Sequence, residues 1–150
     1  MSEFKKILVP VDLSDLSPKL VPYVITMAEK FGSEIHLLFV ARMFQYYRGI
    51  YVPHAAIENF QKIFVEGAEK KLQEFKEENF KKYPNIKITI LNGYIPEEIL
   101  KFIETERIDL VIIGTHGRKG LEKVFFGSVA DRVIRSSPVP VLVVNTYKFE

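Results

Sequence analysis

The chain has no cysteine among its 150 residues. That absence excludes disulfides and thiolate metal sites and is compatible with a reducing cytoplasm. There is no continuous block of lysine or arginine, and the formal net charge is only +2. Neither feature suits a general polyanion binder or a basic nucleic-acid tail, so nucleic acid is not expected as a partner. No apolar run approaches membrane-spanning length. The opening Met1-Ser2-Glu3-Phe4-Lys5-Lys6 leads into a short apolar run that meets Pro10 and Asp12. It is too short for a signal-peptide core and lacks a cleavage site, so a soluble cytoplasmic protein without a membrane partner is expected. Internal repeats and low-complexity linkers are missing as well. The length suits one domain over residues 1–150 with a substantial core.

Several motifs are also missing. There is no G-x-x-x-x-G-K-[ST], which argues against a Walker-type phosphate loop. No G-x-G-x-x-G follows the first apolar run, which weakens a dinucleotide-binding reading. No G-x-S-x-G is present, which weakens a hydrolase reading. No His/Asp/Glu cluster has metal-ligand spacing.

What is present is an alternation of strand-like and helix-like segments. Lys6 to Val11 (K-I-L-V-P-V) is a near-continuous apolar run, as in a parallel strand covered on both faces. Pro10 should end its pairing. Ser17-Pro18 predicts a helix start with Ser17 as N-cap. Leu20, Val21, Val24, Met27, Ala28 and Phe31 then form one stripe, and Gly32 is read as its stop. Glu34 to Val40 reads as the second strand. An aromatic segment from Arg42 to Val52 follows, a candidate mobile lid or partner-contacting loop. Its tyrosines are read as cover for a core edge. A long helix is predicted after Pro53, to about Tyr83, with Ile57, Phe60, Phe64, Ala68, Leu72 and Phe75 inward. Ile86 to Leu91 alternates apolar and polar, as an edge strand does. Pro96 begins a short helix with Ile99, Leu100 and Ile103 inward. Asp109 to Ile113 is the fourth strand, Ser128 to Ser136 a helix, and Val139 to Val144 the last strand. Five such alternations predict an open parallel α/β sheet with helices on both faces.

The most informative stretch is Asp109 to Val129, D-L-V-I-I-G-T-H-G-R-K-G-L-E-K-V-F-F-G-S-V. A buried strand runs into a glycine-rich loop and then into a helix start bearing Ser128. Glycines let a backbone approach phosphate closely, and a helix start offers unpaired N–H groups. The plainer alternative is a structural connection, but such loops usually run about 2–6 residues and longer ones tend to be functional. In open α/β sheets ligands sit beyond the strand carboxyl ends where the strand order reverses. The first strand ends in Pro10-Val11-Asp12-Leu13-Ser14 and the fourth in Gly114-Thr115-His116-Gly117. If the two strands are neighbours, both loops face one crevice.

Gly114-x2-Gly117-x9-Gly127-Ser128 resembles the G-x2-G-x9-G-[ST] signature of the ATP-binding branch of the universal stress protein family. K-I-L-V-P-V-D-L-S, V-I-I-G-T-H-G, G-S-V-A-D-R-V-I-R and S-P-V-P-V-L-V-V extend the likeness over the whole chain. The resemblance implies a Rossmann-like five-stranded parallel sheet in order 3-2-1-4-5. It implies that Pro10, Val11 and Asp12 line an adenosine pocket, Asp12 near the ribose, and that the backbone at Val40 meets the adenine. It implies that Gly114, His116, Gly117, Arg118, Gly127, Ser128 and Val129 surround ribose and phosphates; Ile113, just before Gly114, completes the candidate set. The last strand, Val139 to Val144, would pair across a homodimer axis.

The leading expectation is therefore a stress-regulatory protein that binds ATP or AMP and signals through its conformation or a protein partner of unknown identity. Mg or Mn would arrive with the phosphates. Two alternatives stand beside it: a slow ATPase, and a nucleotide-free dimeric interaction module. Asp12 could instead cap the first helix or hold a turn. His116 could be a base, a phosphate donor or a loop residue; with no positioned partner evident, binding is favoured and no catalytic residue is assigned. His36, set among apolar strand residues, is read as structural.

Overall fold

The computed structural model describes residues 3–42, 54–83, 85–115 and 127–146. Five short apolar runs form its strands: β1 (Lys6–Pro10), β2 (Glu34–Ala41), β3 (Ile86–Asn92), β4 (Leu110–Gly114) and β5 (Val141–Val144). They build one sheet in the order β3-β2-β1-β4-β5. Every pairing is parallel. This is the order implied by the resemblance, and it puts β1 beside β4.

Helices cover both faces, which is why the central strands read as apolar throughout. On one side Ile7, Val9, Ile35, Leu37, Phe39 and Ile112 pack with Val24 and Ala28 of α1 (Val21–Phe31) and with Leu72 and Phe75 of α2 (His54–Asn79). On the other, Leu8, Leu38, Val40, Val111 and Ile113 meet Ile99, Phe102 and Ile103 of α3 (Ile95–Thr105) and Ala130 and Val133 of α4 (Ser128–Ser136). Successive strand residues alternate between these two layers. Each fully buried Leu or Ile contributes about 1.5–3 kcal/mol relative to its exposed state.

Some local expectations are corrected. Ser17 is not an N-cap. It opens a 3-10 turn, Ser17–Leu20, that precedes α1, and no side chain caps that turn. Its hydroxyl donates instead to Asp12 Oδ1 at 3.0 Å. Gly32 does close α1, in the left-handed region at φ 62°, with its N–H on the Ala28 carbonyl. Helix α2 stops at Asn79 rather than near Tyr83. The Asn79 side chain donates to the Phe75 carbonyl, and the chain turns so that Phe80 is buried against Phe75. The inward stripe of α2 holds only in its second half. Ala68, Leu72 and Phe75 are buried, whereas Phe60 and Phe64 are exposed.

The last strand begins at Val141, not Val139. The Ser137 hydroxyl binds both the N–H and the carbonyl of Val139, holding it in a turn. The Pro140 carbonyl already accepts from Val111 N–H. β3 lies at the sheet edge, as its alternation suggested. The Arg42–Val52 segment falls, after Arg42, outside the described residues.

Candidate functional site

β1 and β4 pair through Ile7 with Leu110 and Leu8 with Val111. Their carboxyl ends therefore open on one crevice at the switch point of the sheet. Pro10 ends β1 and has no N–H for a ladder. The next residue, Val11, still donates its N–H to the Leu38 carbonyl at 2.9 Å. That bond shows that Leu38 turns its peptide groups toward β1. Strand alternation points the peptide groups of Val40 the same way, two residues further on and past the end of β1. Val40 thus presents a backbone N–H and C=O to the crevice. Its side chain is buried in the core layer of α3 and α4, while that of Val11 is buried in the opposite layer.

Beyond Val11 the chain makes a tight polar turn. Asp12 is half-buried. Its Oδ1 accepts the Ser14 N–H and the Ser17 hydroxyl, each at 3.0 Å. The Ser14 hydroxyl accepts from Leu16 N–H at 3.2 Å. Asp12 therefore holds the turn, as the plainer reading of it proposed. Among the described residues no donor is directed at its other oxygen, Oδ2. Leu13 sits at φ 61°, a left-handed conformation that branched side chains avoid. Residues held in such regions cost about 1–3 kcal/mol and cluster at binding sites. No turn glycine announces this position in the sequence, and so the sequence reading missed it.

The β4 side of the crevice is clamped at its base. Ile113 is buried and Gly114 half-buried at the strand end. Thr115 is buried, and its N–H donates to the Val144 carbonyl at 2.9 Å. Its own carbonyl accepts from Gly127 N–H. Thr115 and Gly127, the described residues on either side of the glycine-rich stretch, therefore meet at the end of β4. A Cβ on Gly127 would lie 2.9 Å from the Thr115 carbonyl oxygen. Glycine is required here by close backbone approach, since φ at Gly127 is an ordinary −58°.

Gly127 is the N-cap of α4 and supplies no side-chain cap. The first intrahelical bond runs from Asp131 N–H to the Gly127 carbonyl at 2.9 Å. The N–H groups before it, at Ser128, Val129 and Ala130, have no partner within the helix, as at every helix start. Ser128 is exposed and Val129 half-buried. The structure thus brings Pro10, Val11, Asp12, Val40, Ile113, Gly114, Gly127, Ser128 and Val129 to one end of the sheet. His116, Gly117 and Arg118 lie outside the described residues.

Two other features lie elsewhere. Buried His36 meets Glu34 Oε1 through Nε2 at 2.6 Å, and Lys87 reaches the same oxygen at 3.3 Å. Burial pushes the Glu34 carboxyl up, but hydrogen bonds and charge from His36 and Lys87 outweigh it and hold the group below its ordinary range. This cluster is at the amino-terminal end of β2, so His36 packs as a structural residue. A groove of about 430 Å³ runs between α2 and β3, lined by Glu66, Glu69, Lys70, Gln73, Ile88 and Ile90. It shares no residue with the crevice. Among the described residues no three His, Asp or Glu side chains gather as metal ligands would, and no helix is long and apolar enough to cross a membrane.

The model of the universal stress protein family matches residues 3–145. Universal stress protein MJ0531 of Methanocaldococcus jannaschii is 32% identical over 148 residues, covering 98% of this chain and 85% of that protein. A second protein of that organism, universal stress protein MJ0577, is 31% identical over 154 residues, covering 95% of each chain. The solved structure of MJ0577 superposes with a TM-score of 0.83, covering 95% of this chain and 96% of that one at 30% identity. Two further solved structures share the fold at 19% identity. One is a universal stress protein in complex with cAMP, at TM-score 0.62 and covering 97% and 99% of the two chains. The other is the Archaeoglobus fulgidus protein in complex with dAMP, at TM-score 0.67 and covering 95% and 98%. With the family model matching nearly end to end and relatives above 30% identity over almost the full length, this chain belongs to the universal stress protein family.

Proposed function

We propose that the crevice binds an adenine nucleotide, ATP or AMP, and that the protein is a cytoplasmic stress regulator whose conformation or partner affinity changes with the bound nucleotide. The observation that carries this reading is the meeting of three unlike elements at one sheet end: the Asp12 turn, the outward peptide groups of Val40, and the contact between Thr115 and Gly127 at the α4 start. Each matches one part of a nucleotide. Asp12 Oδ2 suits ribose hydroxyls. The backbone N–H and C=O of Val40 suit the edge of a base. The N–H groups at Ser128 and Val129, with the Ser128 hydroxyl, suit phosphate oxygens. His116, Gly117 and Arg118 complete the phosphate side in this reading, Arg118 through a charge-assisted contact. Mg or Mn would be held mainly by phosphate oxygens and water. The cAMP and dAMP bound by two proteins of the same fold agree with a ligand of this class.

Signalling needs a nucleotide that binds two conformations unequally. Isothermal titration with ATP and AMP, and native mass spectrometry of freshly purified protein, test the reading. The expected result is one nucleotide per chain. No heat at millimolar ATP and no nucleotide carried through purification would reject it. In the same reading the protein is a homodimer joined through β5, the edge strand opposite β3. Val141, Leu142 and Val143 are only half-buried there. An uncovered apolar edge invites pairing, and a two-fold axis satisfies both copies at once.

A further inference from the structure

We infer that Ser17 is a positioning residue for nucleotide recognition: its buried hydroxyl fixes the rotation of the Asp12 carboxylate so that Oδ2 faces the ligand. This rests on the proposed nucleotide site and adds a residue outside the ligand-contacting set. Ser17 lies five positions beyond Asp12, and only 3% of it is exposed. A buried hydroxyl needs an acceptor, and this one has Asp12 Oδ1 at 3.0 Å.

The terminal torsion of an aspartate is broad and roughly two-fold, so a carboxylate does not choose its own orientation. Here two donors converge on one oxygen. The Ser14 N–H is fixed by the backbone, and the Ser17 hydroxyl comes from the first residue of the 3-10 turn. That turn has further ties, one local and one distant. Ser17 N–H donates to the Ser14 carbonyl at 3.1 Å, and Lys19 Nζ donates to the Thr146 carbonyl, beyond β5, at 2.8 Å. The 3-10 turn that carries the hydroxyl is thus tied to the segment that follows β5. With Oδ1 occupied twice, Oδ2 is left as the acceptor for a diol. Removing the hydroxyl leaves one donor on Oδ1 and frees the carboxylate to rotate, so the loss should fall on sugar recognition rather than on base or phosphate.

The test compares ATP with 2′,3′-dideoxy-ATP by isothermal titration, using wild type, Ser17→Ala, and the isosteric pair Ser17→Thr and Ser17→Val. Wild type should favour ATP. In Ser17→Ala, ATP affinity should fall about tenfold, the order expected for a hydrogen bond to a charged group, while the dideoxy compound changes by less than about twofold. Ser17→Thr should restore the preference and Ser17→Val should not, which separates the hydroxyl from the volume it occupies. Urea denaturation of each variant identifies any that fails to fold. Equal losses for both nucleotides would mean that Ser17 merely shapes the turn, and unchanged affinities would mean that it does nothing; either overturns the inference. A wild type that binds both nucleotides equally would remove Asp12 from the sugar and overturn it too, with nucleotide binding intact. A wild type that binds neither would reject the site itself.

Discussion

Gly127 and Glu34 show how much a single side chain, or its absence, decides here. At Gly127 the backbone of one segment lies against the Thr115 carbonyl of another, with no room for a methyl group. Gly127→Ala should therefore destabilise the fold by about 1–3 kcal/mol, the usual range for overpacking, read as a lowered urea midpoint. The requirement for glycine was legible in the sequence as part of a spaced glycine set, but its cause was not. The contact joins residues 115 and 127, and their closeness is a tertiary fact. Glu34 carries a pH dependence of definite sign. Its folded value lies below the ordinary 4.5 because His36 and Lys87 outweigh burial. The associated stability is complete above that ordinary value and is lost as pH falls through the lower folded one. The stability gap between wild type and Glu34→Gln should accordingly be larger at pH 7 than at pH 3, measured by urea denaturation at both.

Helix α2 separates what periodicity can tell from what it cannot. The spacing of Ile57, Phe60, Phe64, Ala68, Leu72 and Phe75 identified a helix, and α2 is one. It also suggested a uniformly inward stripe. The buried part lies where the helix crosses β2 and β3, at Ala68, Leu72 and Phe75, while Phe60 is 52% exposed. A hydrophobic pattern records which residues can be buried; the extent of the sheet beneath sets which are. Leu72→Ala should cost about 2–5 kcal/mol of unfolding free energy, as cavity-forming truncations do. Ile63→Ala, at a residue of the same helix that is 61% exposed, should stay within about 0.5 kcal/mol of wild type when made in parallel. The turn before α1 is a comparable case. Ser-Pro is a sound helix-start signal, yet Ser17 serves Asp12, because a carboxylate five residues earlier competes for its hydroxyl.

Two expectations concern the assembled protein. ATP at a hundred times its dissociation constant should stabilise the fold by about 2.7 kcal/mol, read as a rise in melting temperature that grows with ligand concentration. The β5 edge offers a sharper probe. Val111 N–H meets the Pro140 carbonyl and Thr115 N–H meets that of Val144, so Pro140, Leu142 and Val144 turn their peptide groups toward β4. Val143, out of phase with them, directs its N–H to the open edge. Val143→Pro removes an outward donor without taking one from the ladder, a position that edge strands tolerate. If β5 joins two copies, sedimentation should show wild type as a dimer and Val143→Pro as a folded monomer. A wild-type monomer at micromolar concentration would reject β5 pairing.

The order of amino acids alone dictated the class of the fold and the sequence of its main elements, though not all their ends. Short apolar runs such as Ile7–Val9 and Val111–Ile113 suit strands covered on both faces, and five of them alternating with amphipathic segments favour a parallel sheet. The glycine signature and the Asp12 turn were legible too, because turn chemistry and helix starts are local in sequence. Packing decided the rest. The adjacency of β1 and β4, the outward peptide groups of Val40, the clamp between Thr115 and Gly127, and the grip of Ser17 on Asp12 each depend on where a distant or competing partner lies. Hydrophobic and turn patterns act over a few residues, whereas strand order and hydrogen-bond competition are settled only when the chain closes on itself.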